Sequence, residues 1–247
     1  MIHIYGAVLS PNVIRPFRCA WFRGGSNCPY RETSPTSVVE SPLSIVLEVA
    51  PEYGLVDQPV VLLSERSLHD FLRAARAEYV AITADEPRPC FAVLIGRSAG
   101  SSYVVEEIAF GRNARRTTPA AAEEFSAAIV PRFGSAYENP VRAWWLDPAD
   151  LLRISRHADE MGAEILGSIH LHPDWHRLGP ESERCRPLSE HPTPMDEYVF
   201  GNSGWPVNVV CYLERRHGAF YYTLAAWSAD CEPIPLRVSA PIPEPRR

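Results

Sequence analysis

The sequence lacks several features that would indicate particular classes of protein. Its six cysteines form no CxxC pair, so neither a zinc ribbon nor a thioredoxin-like redox motif can be built. It contains no nucleophile-elbow serine and no glycine pattern that cradles phosphates. The net charge of -6 provides no basic field for a phosphate backbone, so nucleic acid is not an expected partner.

Long apolar runs are also missing. The longest, such as Phe91 to Gly96 and Val207 to Leu213, have the length of a strand and fall far short of the roughly 20 residues that span a bilayer. Residues 1–10 lack the basic start and apolar core of a signal peptide. We therefore expect no membrane segment, a cytoplasmic location and reduced thiols.

Composition divides the chain into three parts. Residues 1–58 are rich in Pro, Arg, Gly and Ser, which indicates an irregular N-terminal extension of unknown role. Regular apolar segments begin at Pro59, so residues 59–238 are predicted to form the folded domain. Residues 239–247 are expected to be a flexible tail.

Within this domain, strand patterns alternate with helical ones. Ser64 is expected to cap a first helix, Asp147 a second, and a third helical segment is expected around residues 195–200. The predicted strands cover residues 60–63, 91–96, 103–110, 141–146, 164–172, 207–213 and 219–227. The stretch from 115 to 139 is predicted to be a loop. This alternation favours an α/β fold, with helices packed on a sheet.

The segment from Gly167 to Pro173 contains two histidines, His170 and His172, separated by one residue. Side chains of a strand repeat their facing every second residue, so both imidazoles are expected on one face with their backbones roughly 7 Å apart. Such a pair can converge on one metal ion. Two histidines on the solvent-exposed face of a strand without a metal site would give the same pattern.

A carboxylate that would complete a metal site follows in the segment Thr193-Pro194-Met195-Asp196. Two His and one Asp leave the fourth position of zinc open for water. His170, His172 and Asp196 are therefore the predicted ligands, and Zn²⁺ is the predicted cofactor.

These segments resemble the JAMM (MPN+) metalloprotease family of the bacterial type, also known as Mov34/PAD-1 or peptidase M67-like. The family signature is a distant Glu, then HxHP, then Ser-x-x-Asp, and Phe91 to Gly96 resembles its first core strand. The resemblance covers roughly Pro59 to Val238. It implies a cytidine-deaminase-like MPN fold, an α/β architecture in which helices flank a curved mixed sheet.

The resemblance also implies a function. Family members are zinc hydrolases, isopeptidases similar to deubiquitinases, that cleave at the C-terminus of ubiquitin-like proteins, and bacterial relatives act on such modifiers or on sulfur-carrier proteins. A ubiquitin-like or sulfur-carrier protein is therefore the expected substrate, and a hetero-complex or homodimer is compatible with the family. Thr193 occupies the position of the family serine that helps to stabilise the oxyanion, and a Thr hydroxyl donates similarly.

The chain departs from the family pattern at the catalytic base. Pro89 occupies the position where the family has its Glu, and proline accepts no proton. Glu86 is the nearest carboxylate and the predicted base, and Glu106 or Glu107 on the next strand is an alternative. Glu86 is equally well interpreted as a solvated residue after a helix.

Two alternatives to catalysis remain open at the level of sequence. A catalytically inactive MPN scaffold or adaptor would keep the zinc site and lack the base, in agreement with Pro89. A purely structural zinc would require a fourth protein ligand, with Cys185 or a loop histidine as the candidate. Cys185 lies in the interval 174–192, which is longer than in the family and is interpreted as an insertion beside the site.

Overall fold

The computed structural model describes residues 58–83, 85–173 and 192–239. Except for residues 58, 192 and 239 at their boundaries, the predicted N-terminal extension, the insertion 174–192 with Cys185 and the C-terminal tail lie outside these ranges.

An eight-stranded mixed sheet forms the centre of the described domain. Its strands are β1 (Val60–Ser64), β2 (Phe91–Ala99), β3 (Ser102–Ala109), β4 (Glu164–Pro173), β5 (Val207–Arg216), β6 (Ala219–Trp227), β7 (Pro233–Ile234) and β8 (Leu236–Ser239). They lie in the order β7-β6-β5-β4-β2-β3-β1-β8. β4 and β5 are parallel, and β2 pairs antiparallel with both β3 and β4.

The sheet is curved, as the positions of its two edge strands show. β7 ends at Ile234 and β8 begins at Leu236, so Pro235 alone connects the opposite edges. In a flat sheet, eight strands spaced by about 4.8 Å would place these edges too far apart for one residue to connect. The Pro235 carbonyl also accepts a hydrogen bond of 2.8 Å from the backbone amide of Val61 in β1.

Helices cover both faces of the sheet. Helix α1 (Glu65–Ala81) begins after Ser64, whose hydroxyl caps it by accepting from the Ser67 amide at 3.0 Å. Its Phe71 packs into the main core with Leu94 of β2. The second face carries α4 (Pro148–Glu160), whose Ile154 packs against Val93. The predicted fold class, an α/β architecture with helices flanking a curved mixed sheet, is confirmed, as are the caps at Ser64 and Asp147. Among the described residues, no helix is long and apolar enough to cross a membrane.

Two predictions for the middle of the chain are wrong. The stretch predicted to be a loop contains helix α2 (Pro119–Glu124), a π-helical turn (Phe125–Ile129), helix α3 (Val130–Phe133) and a 3-10 turn (Ser135–Glu138). Residues 141–146, predicted to be a strand, form turns, and Leu146 makes one isolated bridge to Asn113. The reason lies in Ala143, whose φ of 65° interrupts any extended run.

Candidate metal site

The strand that carries the two histidines is the centre of the candidate site. β4 contains a bulge, because the pairing with β2 shifts from Gly167 opposite Leu94 to Ile165 opposite Ile95. A Cβ at Gly167 would lie 1.6 Å from the Val207 carbonyl oxygen, so only glycine allows β4 to approach β5 this closely. The bulge sets the facing of the residues that follow it.

After the bulge, side chains of β4 alternate between the two faces of the sheet. Ile169 and Leu171 enter the main core beneath α1, whereas His170 and His172 lie on the opposite face with ring centroids 4.8 Å apart. Both histidines are buried. The prediction that the HxH pair shares one face is confirmed.

The third residue of the site comes from α5 (Pro194–Ser203), which lies between β4 and β5 in the chain. Parallel neighbours need such a crossover, and it carries Asp196 over the histidine face. Thr193 caps the helix by accepting from the Asp196 amide at 3.2 Å, while its own amide donates to Asp196 Oδ2 at 2.8 Å. This capping box fixes the carboxylate in the first turn.

Ligand-type atoms of three residues converge. His170 Nε2 lies 3.0 Å from His172 Nε2 and 3.1 Å from Asp196 Oδ1, and His172 Nε2 lies 3.4 Å from Asp196 Oδ2. Tetrahedral zinc, with bonds of about 2.0–2.1 Å, separates its ligand atoms by about 3.3 Å. The triad therefore fits a zinc ion in both the type and the spacing of its donors.

The ionisation of His170 and Asp196 also suits a metal. Burial lowers the pKa of His170, against the opposing effect of its bond to Asp196, so the imidazole remains a neutral ligand. Burial would raise the pKa of Asp196, but His172 and His170 outweigh that effect and hold the pKa well below its usual range. The deprotonated forms are those that zinc requires. His170 Nδ1 is buried without a hydrogen-bond partner in the described residues.

A cavity opens directly beside the triad. Its volume of about 80 Å³ is several times the roughly 10–15 Å³ that one water needs, so it accommodates a water and a few substrate atoms. Residues 87–89 and the segment from Ala143 to Trp144 form its walls. The Trp144 indole stacks on Phe91 at 4.7 Å and lies 6.1 Å from the His170 ring.

The structure does not bring the candidate bases to this cavity. Glu86 is exposed and pairs with Arg88 at 3.4 Å, and only the neighbouring residues 87–89 line the cavity. Glu106 pairs with Arg97 and Glu107 with His157. Both glutamates lie on β3, which β2 separates from the histidine strand β4. Glu107 pairs with Ile95 of β2, four residues away from Phe91, the β2 residue that pairs with His170. Among the described residues that line the cavity, Asp196 is the only carboxylate.

Sequence reasoning missed one component of the site, the cationic wall. Arg142 lines the cavity together with Arg88, and neither stands in a recognisable motif. Trp144 lies in the segment 141–146, predicted to be a strand, and instead forms part of the cavity wall. No local pattern marks this segment, because the side-chain hydrogen bonds that hold it in a turn come from Asn113, about 30 residues earlier in the chain.

Comparisons with known proteins give structural neighbours only. No family model and no curated protein matches the chain. A solution structure of a protein from Desulfitobacterium hafniense aligns with 74% of this chain and 95% of its own, at 14% identity and a TM-score of 0.44. A Jab1/MPN domain protein from Archaeoglobus fulgidus aligns with 74% of this chain and 97% of its own, at 13% identity and a TM-score of 0.31.

A third neighbour is described as a metalloprotease-like zinc site in the proteasome and signalosome. It covers 74% of this chain and 97% of its own, at 12% identity and a TM-score of 0.32. At such low identities and TM-scores these neighbours do not assign the chain to a family. We base the proposed function on the geometry of His170, His172 and Asp196 in this chain.

Proposed function

We propose that the domain is a JAMM-type zinc hydrolase that cleaves an amide or isopeptide bond at the C-terminus of a ubiquitin-like or sulfur-carrier protein. The observation that carries the proposal is the convergence of one ligand atom each from His170, His172 and Asp196, all within 4.8 Å of one another, beside an accessible cavity. Three protein ligands and one open position are the pattern of a catalytic zinc.

The residues of the chain have separate roles in this reaction. His170, His172 and Asp196 hold the ion, and Thr193 orients Asp196. When bound, zinc supplies Lewis acidity toward the scissile carbonyl and the attacking water. Hydrolysis adds one water across the C–N bond, giving a carboxylic acid and an amine. A proton acceptor has to be supplied, and Glu86 remains the proposed base because it immediately precedes the cavity wall.

A second candidate function is a zinc-binding scaffold or adaptor without catalysis. It is favoured by a specific observation, namely that the described lining of the cavity contains no glutamate and that Glu86 is paired with Arg88 at the surface. A scaffold would retain the triad for stability and present the domain surface to a partner protein.

Cleavage and zinc content, measured on the same samples, separate the two candidates. The substrate is a ubiquitin-like or sulfur-carrier protein encoded near this one, extended at its C-terminus, and cleavage is followed by mass spectrometry. In Glu86→Gln, zinc should be retained while cleavage falls by roughly 10²-fold or more, because the amide keeps the shape and loses the proton acceptor. Glu160→Gln, at an exposed position of α4, serves as the matched control and should cleave normally.

Each outcome selects among the alternatives. Undiminished cleavage by Glu86→Gln removes this residue from the mechanism and directs attention to Glu106 and Glu107. A wild-type protein that is fully loaded with zinc and cleaves none of these substrates favours the scaffold. A wild-type protein without zinc contradicts both candidates.

A further inference from the structure

The ring of His170 is held differently from that of most metal-binding histidines. A histidine that binds a metal through one ring nitrogen usually donates its other N–H to a carboxylate or a carbonyl, which fixes the orientation of the ring. In His170, Nε2 is directed at His172 and Asp196, whereas Nδ1 is buried and has no hydrogen-bond partner within the described ranges. On the Nδ1 side, the orientation of this imidazole is therefore set by packing.

Two aromatic rings pack beside the His170 imidazole. The Phe200 ring centroid lies 6.1 Å away in a T-shaped arrangement with an interplanar angle of 63°, and the Trp144 centroid lies 6.1 Å away at 47°. Aromatic rings attract one another in tilted, edge-to-face arrangements with centroids about 4.5–7 Å apart. Phe200 is fully buried, whereas Trp144 is half-buried in the cavity wall. Phe200 is therefore the more firmly fixed of the two rings.

The position of Phe200 connects it to the metal ligand on the same helix. Asp196 and Phe200 are four residues apart in α5, so their side chains lie on one face of the helix. Phe200 belongs to the same buried cluster as Val210 of β5, and Val210 is the residue that pairs with His170 in the parallel ladder. One face of α5 thus carries both a candidate ligand and the ring that packs beside a second candidate ligand.

We propose that Phe200 is a positioning residue of the metal site, whose ring orients the His170 imidazole so that Nε2 faces the other two ligands. Phe200 does not line the cavity, so it acts only through His170. The inference rests on the proposed function, because it concerns the zinc ion that the triad would hold. Without the ring, the imidazole has to be ordered when the ion binds, and this ordering lowers the affinity.

Zinc affinity, measured on the full chain by chelator competition, tests the assignment without any substrate. Phe200→Leu keeps an apolar side chain and removes the ring. We expect zinc to bind about 10-fold more weakly, at the lower end of the effect of losing a group that orients a ligand. Phe71→Leu is the matched control, because Phe71 is equally buried but packs in the main core on the opposite face of the sheet. It should bind zinc as the wild type does.

Thermal unfolding of the metal-free proteins shows that the two substitutions disturb the fold to a similar degree. Zinc is removed for this measurement because a bound ion would itself raise the melting temperature. Both variants should unfold a few degrees below the wild type, since each loses part of a buried aromatic side chain. A difference in zinc affinity between them then reports on the site and not on stability.

A spectroscopic measurement detects the orientation of the ligand directly. Zinc has a filled d shell and no visible absorption, so cobalt(II) is bound in its place. The visible bands of cobalt(II) depend on the number and geometry of its ligands. At full occupancy, the wild type and Phe71→Leu should give the same bands, whereas Phe200→Leu should give shifted or weaker bands because one imidazole is less well aligned.

The outcomes distinguish this inference from the proposed function. Unchanged zinc affinity and unchanged cobalt bands in Phe200→Leu overturn the role of Phe200. Equal losses in Phe71→Leu and Phe200→Leu also overturn it, because they assign the effect to a general loosening of the core. If Phe200→Leu does not fold, Phe200→Met, with a longer and more adaptable side chain, decides by the same two measurements. A wild type that binds no zinc contradicts the proposed function and this inference with it, whereas a failure confined to Phe200→Leu leaves the proposed function standing.

Discussion

The Thr193 hydroxyl donates a hydrogen bond of 2.7 Å to Asp196 Oδ2. The same carboxylate oxygen accepts a hydrogen bond of 2.8 Å from the Thr193 backbone amide. Two donors from one residue therefore fix the orientation of the Asp196 carboxylate toward the histidines. Because the hydroxyl proton is directed at Asp196, Thr193 acts in this structure as a residue that positions this candidate metal ligand. Its role in stabilising an oxyanion, implied by the family resemblance, stays a prediction.

Replacing Thr193 by Ala should weaken the metal site. Loss of the cap is expected to cost about 1 kcal/mol of stability, and loss of the group that orients Asp196 should reduce zinc affinity by about 10- to 100-fold. Chelator competition and thermal unfolding measure the two effects. Thr193→Ser keeps the hydroxyl and should retain most of both. Unchanged zinc affinity in Thr193→Ala, combined with lost cleavage, would instead favour the oxyanion role.

The triad itself predicts stoichiometric zinc. His170→Ala combined with His172→Ala removes two of the three converging donors, and one carboxylate alone does not hold zinc at neutral pH. Elemental analysis should find about one zinc per wild-type chain and nearly none in the double variant. His157→Ala, which removes a half-exposed histidine paired with Glu107, is the control. Equal zinc in all three proteins would contradict the site.

The triad was predictable from the sequence because its spacing encodes its geometry. In a strand, HxH places two imidazoles on one face whatever the rest of the fold does. The N-terminal cap of α5 is similarly local, since Thr193 and Asp196 meet across one helical turn. Local periodicity and capping therefore bring these three residues together as candidate ligands without any long-range contact.

The cavity wall was not predictable in the same way. The segment around Arg142 and Trp144 has the apolar and aromatic composition of a strand, and its turn depends on hydrogen bonds from Asn113, about 30 residues earlier in the chain. The helical stretch that begins at Pro119 differs from the predicted loop because the polar residues 115–118 before it and the two prolines, Pro119 and Pro131, are typical of a loop. Tertiary hydrogen bonds and packing decided both segments, and sequence patterns do not report them.

Deleting residues 1–58 is expected to leave zinc binding intact. The regular pattern of the domain begins near Pro59, and β1, starting at Val60, pairs with β3 and β8. The shortened chain should bind about one zinc and unfold in a single cooperative transition, as shown by elemental analysis and circular dichroism. Aggregation or loss of zinc on truncation would show that the extension belongs to the core.

The buried thiols should be chemically inert. Burial, aided by the charge of Glu78, raises the pKa of Cys90 to about 12, and burial also raises the pKa of Cys211. Little thiolate forms at pH 8.5, so iodoacetamide should label both residues far more slowly in the native protein than in urea, as measured by peptide mass spectrometry. Rapid native labelling of Cys90 would contradict its position in the core.

The raised pKa of Cys90 also makes the stability of the fold depend on pH. An unfolded thiol ionises near pH 8.5, whereas folded Cys90 stays protonated up to about pH 12. Its contribution to stability is therefore complete below about pH 8.5 and decreases as the pH rises through that window. Cys90→Ser should show a smaller loss of thermal stability between pH 7.5 and pH 9.5 than the wild type.

The strain at Ala143 predicts an unusual response to glycine. Glycine adopts a φ of 65° without cost, which removes about 1–2 kcal/mol of strain, whereas the freer unfolded chain opposes this by about 0.4–1 kcal/mol. Loss of the partly buried methyl offsets some of the remainder. Ala143→Gly should therefore leave the free energy of unfolding unchanged or raise it by up to about 1 kcal/mol in urea titrations.

The control is Ala122→Gly, at an exposed position in α2, which should instead lower the free energy of unfolding by about 0.5–1 kcal/mol. A loss in Ala143→Gly as large as that in Ala122→Gly would show that Ala143 is not strained, and that the turn presenting Arg142 and Trp144 is relaxed.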